Sequence, residues 1–403
     1  MPRVRYHRAM RGSRLTFSIV LVAATAGCTS PPASTDAAMT VDARATSDTS
    51  ATDAPRADSP GRDAAMPVDA ASPSDAGGLP SGWLYTQGTH LYVSNGTGGG
   101  TQWMGRGVNF DDIFLCGYNT GLWMSATSSS TALEEMVRGL MTNWHPTFVR
   151  VSLGMASYPP STDWIANPAQ YRDPMTQVID MIGAHAGVYV LVALRSHDSM
   201  IRQDHMHGDP EATGIPSDAT STPDATRFPR GTDATYEALV DTFAHMPFVL
   251  FGITNEAGGN LQTNATIRAA MEHAVSVIRA EEDRLGVPHH IVSVQGNDWT
   301  SSIGFYDTAP IASDNVVYEV HGYPPTTASY TYSHIPVIIG EYGSLPDAAA
   351  FYADVEQKQI PNLAWDFEAY SDCSPDLLMV THDATMLTPT PWGSTVRAYL
   401  TSH

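Results

Sequence analysis

Short runs of apolar, largely β-branched residues punctuate the chain: Phe148-Val149-Arg150-Val151, Val188 to Val192, Phe248 to Ile253, Ile291 to Val294, Val316 to Tyr318 and Ile335 to Ile339. Continuous runs of this kind fit strands buried on both faces, as in a parallel sheet, and not the strict alternation of a sheet with one wet face. Helical periodicity lies between several of them. Tyr236, Leu239, Val240 and Phe243 share one helix face, as do Ile267, Ala270, Met271, Ala274 and Ile278. Strand–helix units repeated along one chain leave two architectures, a (β/α)8 barrel or a doubly wound sheet. No glycine-rich phosphate loop follows the first strand, which argues against the nucleotide-binding form of the second. The expected fold is therefore α/β, a (β/α)8 TIM barrel. A short β-hairpin, Trp83-Leu84-Tyr85 and Leu91-Tyr92-Val93 around glycines, is expected to precede it and to close its underside.

Residues 1–80 do not share this pattern. Residues 1–28 hold five Arg and no acid, then the apolar run Phe17 to Ala24, then Thr25-Ala26-Gly27-Cys28. A basic start, a short apolar stretch and small residues describe an export signal. A Cys directly after Ala-Gly resembles the lipobox of bacterial lipoproteins, which implies lipidation at Cys28. Residues 29–80 are almost entirely Ala, Ser, Thr, Pro and Asp, with no aromatic residue. Such a stretch buries too little apolar surface to offset its chain entropy and is expected to be a disordered tether. The expected organisation is thus a signal over 1–28, a linker over 29–80 and one catalytic domain over 81–403, exported and either held at the cell surface or outer membrane as a lipoprotein or secreted.

The charge balance narrows the partners. The chain carries 21 Lys+Arg against 42 Asp+Glu, a net charge of -21. That argues against nucleic acid, which needs a basic face to displace counterions. It also argues against direct attraction to anionic lipid, so membrane contact is expected only through the lipid anchor. A monomer is expected.

Polar residues stand at the ends of the apolar runs: Asn109, Arg150, His197, Asn255-Glu256, Asn297, His321, Glu341 and Trp365. Successive stations lie 20 to 59 residues apart, room enough for a crossover connection each time. In a barrel the C-terminal strand ends meet at one mouth, where catalytic groups sit. A carboxylate at the end of a buried strand is costly unless it is paired or used, and two of these strands end in Glu.

Six segments and one tryptophan together resemble glycoside hydrolase family 5, the cellulase and mannanase family of clan A barrels. They are Arg106-Gly107-Val108-Asn109, the Arg150 strand, His197-Asp198, Thr254-Asn255-Glu256, His321-Gly322-Tyr323 and Gly340-Glu341-Tyr342-Gly343, completed by Trp365 in Leu363-Ala364-Trp365-Asp366. Their order and placement cover residues 83–400. Two features depart from the family's pattern: Ala257 follows Asn-Glu where Pro is usual, and Arg195 stands where Asp is frequent.

The resemblance implies a retaining hydrolase of β-linked polysaccharide or oligosaccharide, with β-1,4-glucan the first choice and β-mannan the second. It implies no cofactor and no metal. Glu256 would be the acid/base and Glu341 the nucleophile, with Arg150 beside Glu341 to keep it ionised and Tyr323 donating to the same carboxylate. Asn255 would hold the sugar 2-hydroxyl, His197 and His321 would form hydrogen-bonding walls, and Trp365 and Trp299 would offer flat faces for sugar rings. Two other readings remain at this stage. One is a non-catalytic carbohydrate-binding surface protein on the same barrel. The other is a metal-dependent hydrolase using His205 and His207 in the polar stretch 198–232, since His-x-His near carboxylates can hold a transition metal.

Cys116 and Cys373 follow the first and eighth expected strands, which are neighbours in a closed barrel. An exported protein permits a disulfide there, so a Cys116–Cys373 bridge across the closing seam is expected. Two free thiols in the unfolded, unreduced domain would rule it out.

Overall fold

The computed structural model describes residues 78–110, 129–154, 172–195, 233–256, 263–367, 379 and 388–403. Cys28, Cys116, Cys373, His197 and the His205/His207 stretch lie outside these residues, as do the expected signal and most of the expected tether.

The first described element is a small antiparallel sheet of β1 (Leu84–Gln87), β2 (His90–Ser94) and β3 (Gly100–Trp103). A two-stranded hairpin was expected; the third strand is the correction. Its sequence, Gly-Thr-Gln-Trp, escapes a hydrophobic pattern because only Trp103 is buried.

Eight parallel strands follow: β4 (Arg106–Phe110), β5 (Phe148–Gly154), β6 (Tyr189–Arg195), β7 (Val249–Gly252), β8 (Val292–Gln295), β9 (Val316–Gly322), β10 (Val337–Tyr342) and β11 (Asn362–Ala364). They lie side by side in chain order and close into a barrel, with β11 pairing β4. The helices α1 (Ser129–Asn143), α2 (Arg172–Gly183), α3 (Asp233–Phe243), α4 (Asn264–Leu285), α5 (Phe305–Thr308), α6 (Thr327–Tyr330), α7 (Ala348–Lys358) and α8 (Pro391–Thr401) fall between or after them. This is the (β/α)8 barrel that the apolar runs imply.

The longest helix shows how local sequence sets an element. Thr263 caps α4 by accepting from the Thr266 amide at 3.1 Å, and Gly286 ends it at φ 66°, a left-handed turn that glycine adopts without strain. Ile267, Met271, Ala274 and Ile278 are buried in the layer between helices and strands. Tyr236, Leu239, Val240 and Phe243 of α3 are buried in the same layer.

A second apolar layer fills the barrel's lower interior. Phe148, Leu191, Leu250, Val317, Ile338 and Leu363 meet there, and Leu84, Leu91 and Trp103 of the small sheet pack beneath them. With that end closed by hydrocarbon, polar chemistry is confined to the other end. Near the seam, Arg106 at the start of β4 donates from Nε and Nη2 to both oxygens of Glu356 on α7, at 2.6 and 2.7 Å.

Side-chain parity then decides what faces the interior. Along β9, Val317 points into the barrel, so Glu319 and His321 do too, while Val316, Tyr318 and Val320 pack outward under the helices. Along β10, Ile338 points in and Ile339 out, so an unbroken strand would send Glu341 outward. A bulge prevents this. Val320 pairs Ile339 but His321 pairs Glu341, and on the other side Ile339 pairs Asn362 while Tyr342 pairs Ala364. Gly340 is the extra residue, and it turns Glu341 into the barrel mouth, a common use of a bulge beside a site.

Candidate active site

The inward polar residues of β4, β5, β9 and β10 and the turn after β7 form one buried network. Its centre is Arg150, fully buried on β5 and level with Asn109 on β4. Nη1 of Arg150 donates to Glu341 Oε1 at 2.8 Å and to Asn109 Oδ1 at 3.0 Å. Nη2 donates to Asn255 Oδ1 at 2.7 Å, and Nε lies 3.2 Å from Glu319 Oε1. Asn109 is itself oriented: its Nδ2 donates to the Gly340 carbonyl at 2.9 Å. Because Asn255 accepts from Arg150 through its oxygen, its amide nitrogen is left to donate elsewhere.

Glu341 receives a second donor, the Tyr323 hydroxyl at 2.7 Å to Oε2. Withdrawal of that hydroxyl from water, with the negative charge of Glu341 and Glu256 beside it, pushes its pKa well above the ordinary tyrosine value. Tyr323 therefore stays a neutral donor, although its ring is 41% exposed.

Glu256 follows β7 with a left-handed backbone, φ 52°, which is strained for a residue with a Cβ. Its amide donates to Gln295 Oε1 at 2.5 Å, and Gln295 also accepts from the Thr300 hydroxyl at 3.1 Å. Its carboxylate meets His321, with Oε1 2.9 Å from Nδ1. One carboxylate oxygen each of Glu256 and Glu341 and one ring nitrogen of His321 all lie within 4.8 Å of one another.

His321 is held on both nitrogens, because Nε2 lies 2.9 Å from Glu319 Oε1. Burial alone would lower its pKa, but Glu341, Glu256 and Glu319 outweigh it and push the ring up to about 9. Glu319 also accepts from the Ser293 hydroxyl at 2.7 Å. Burial would raise its pKa, but Arg150, His321 and Ser293 hold it down at about 2. Glu319 is thus held as a carboxylate and the His321 ring in its protonated form through the neutral range.

Of the residues expected from sequence, Arg150, Asn255, Glu256, His321, Tyr323 and Glu341 come together here. Trp365 follows β11 and is 4% exposed, with a cis peptide bond to Asp366. Trp299 is 41% exposed, in a turn where Asp298, Trp299 and Thr300 are all left-handed, and the Thr300 carbonyl accepts from the His321 amide at 3.2 Å. Asn297 is not part of the network as its place after a strand suggested. Its Nδ2 donates to Asn264 Oδ1 at 3.3 Å, and Gln295, two positions earlier, supports Glu256 instead.

Gln295 and Glu319 were not picked out from the sequence. Glu319 had a signal: it is a carboxylate inside an apolar run, two positions before His321 and hence on the same face.

The same contacts explain the glycine before Glu341. A Cβ on Gly340 would stand 2.0 Å from Glu319 Oε1 and 2.5 Å from its Cδ. Gly340→Ala is therefore expected to displace Glu319 and with it the Arg150–His321 geometry. Overpacking of this kind costs about 1–3 kcal/mol. Urea denaturation beside a rate assay checks it: wild-type values for both would show that the strand simply yields.

Comparison with known proteins bears on the family and the fold. Residues 105–371 match the family model described as Cellulase (glycosyl hydrolase family 5). No curated protein matches the sequence. Among solved structures, the catalytic domain of Thermobifida fusca endoglucanase Cel5A aligns with TM-score 0.58 and 17% identity, over 79% of this chain and 97% of that one. A Saccharophagus degradans β-glucanase in complex with cellotetraose aligns with TM-score 0.57 and 16% identity, over 84% and 98% of the two chains. A Thermomonospora fusca β-mannanase in complex with mannotriose aligns with TM-score 0.52 and 19% identity, over 78% and 94%.

Proposed function

For a chain that belongs to the cellulase family, glycosyl hydrolase family 5, and is a glycoside hydrolase, we propose a retaining mechanism acting on β-linked glucan. The observation that carries this reading is the closeness of Glu256 and Glu341, whose nearest carboxylate oxygens lie within 4.8 Å. Retaining enzymes hold their carboxyl groups roughly 5–5.5 Å apart, whereas inverting ones leave about 6.5–9.5 Å for a water. The short spacing here supports the retaining geometry.

Glu341 is the nucleophile in this scheme. Arg150 and Tyr323 each donate to one of its two oxygens, which fixes the carboxylate and leaves a lone pair for attack at the anomeric carbon. Glu256 delivers its proton to the leaving oxygen, and a glycosyl ester forms on Glu341. Glu256, now a base, takes a proton from water, which attacks the same carbon and releases Glu341. Asn255, its oxygen held by Arg150, offers its amide to the sugar 2-hydroxyl. Trp299 and Trp365 are proposed as faces for sugar rings.

The substrate class is supported by the glucan ligand named for the β-glucanase neighbour, and β-mannan stands second on the mannotriose named for the mannanase. A screen on β-1,4-glucan, β-mannan and xylan, reading reducing sugar released and the anomer formed first, tests this. The β-anomer from glucan is the expected product. Initial release of the α-anomer would overturn the retaining mechanism, and release from mannan alone would move the substrate.

A further inference from the structure

The network holds one carboxylate that the proposed reaction does not use. Glu319 is wholly buried, too deep to touch a sugar, and it is ionised. Buried charge of this kind contributes little net stability, since apolar residues of the same size often do as well or better. Something else accounts for it. Its Oε1 faces both Arg150 Nε at 3.2 Å and His321 Nε2 at 2.9 Å, the far sides of two groups whose near sides face the reacting carboxylates. The fold makes room for it, because Gly340 lacks the Cβ that would collide with that same oxygen.

We infer that Glu319 is a positioning residue, which grips His321 and Arg150 from inside the barrel so that His321 Nδ1 stays aimed at Glu256 and Arg150 Nη1 at Glu341. This rests on the retaining reading above. A neutral imidazole carries one N–H, yet His321 has a carboxylate on each nitrogen. Glu319 claims the Nε2 proton, so Nδ1 is the nitrogen that gains or loses a proton beside Glu256. A buried carboxylate behind a catalytic histidine fixes tautomer and orientation, and favours the imidazolium, by the same logic. Among the described residues, the charged and titratable groups around His321 are Glu256 after β7, Glu319 on its own strand, Glu341 on β10, Arg150 on β5 and Tyr323 beyond the end of β9. Because its pKa is raised from 6.5 to about 9, the stability His321 contributes is whole below pH 6.5 and is lost as pH rises through about 9. Removing the Glu319 charge moves that upper limit down.

The test is an NMR titration of the His321 ring in the full chain, assigned by its loss in His321→Gln, together with the pH profile of kcat/KM on β-glucan. The wild-type ring is expected to titrate near 9. In Glu319→Gln, which keeps the shape and removes the charge, the midpoint is expected to fall by about one unit or more, and the alkaline limb of the profile to follow. Glu282→Gln is the matched control: it removes an equally buried carboxylate from a histidine on α4's side of the fold, where Glu282 Oε1 lies 2.8 Å from His290 Nδ1. It should leave the His321 midpoint unmoved. A wild-type midpoint at or below the ordinary 6.5 overturns the inference, even where Glu319→Gln does not fold. So does a folded Glu319→Gln with wild-type midpoint and profile. The ring titration needs no turnover, so a wild type inert on every glycan would sink the retaining reading while the titration still decides Glu319.

Discussion

Glu341→Gln is expected to fold as the wild type does and to hydrolyse β-glucan at least about 10⁴-fold more slowly, the scale of loss when a covalent nucleophile is removed. Glutamine has the same shape, and its oxygen can still accept from Arg150 Nη1 and the Tyr323 hydroxyl, which donate at 2.8 and 2.7 Å. What it lacks is the anion that attacks carbon. Glu256→Gln should differ in kind. General acid–base help is worth about 10²–10⁴-fold, and it matters only where the leaving group needs a proton. On a glucan, whose leaving group is a poor one, the full loss is expected. On an aryl glycoside with an acidic phenol, the first step should proceed nearly unaided and the second, which needs Glu256 as base, should stall. A burst of phenol followed by slow turnover is therefore the expected trace. Both variants running at the wild-type rate would remove these two residues from the chemistry.

The second large effect is on stability. Arg150→Met is expected to cost about 3–5 kcal/mol, because it breaks a buried ion network by removing one partner and leaves Glu341 and Glu319 without their guanidinium. Arg150 is the cation beside two buried carboxylates, Glu341 at 2.8 Å and Glu319 at 3.2 Å. It also satisfies Asn109 and Asn255. Lysine is no substitute, since one ammonium cannot present a planar fork to four partners. The sign of the pH dependence follows from Glu319. In the wild type its pKa is lowered to about 2, so its stabilising share is present above the unfolded 4.5 and lost as pH falls through about 2. Without Arg150 it takes up a proton more readily, so the gap between variant and wild type should narrow as pH falls below about 5. Equilibrium unfolding in urea at neutral and mildly acid pH measures this. A gap under about 1 kcal/mol at neutral pH, or one that widens with acid, would contradict the account.

Gly340 illustrates how far the primary structure carries. Gly-Glu-Tyr-Gly can be picked out by eye, and so can the apolar run before it. Neither says which way Glu341 points. Counting by twos from Ile338 sends it outward, under the helices. Only the pairing of β10 with both neighbours exposes the bulge that turns it inward. Asn297 and Gln295 teach the same lesson from the other side. Both are polar, both stand near the end of β8, and only the register and the turn at Trp299 decide that Gln295 is the one under Glu256.

The sequence by itself determined the class of structure and the chemistry on offer. Apolar runs buried on both faces require a parallel sheet covered by helices, and polar residues at their ends require a use, because a charge taken from water without one is costly. Those are local properties of composition and spacing. The tertiary structure alone decided the electrostatics: that Arg150 stands between two carboxylates, that Glu319 lies behind His321, and that His321 is a cation in neutral water. Such facts depend on distances between residues of different strands, set when the barrel closes and each strand takes its register. Coulombic interaction and desolvation are functions of those distances and of burial, and neither is a property of the chain before it folds.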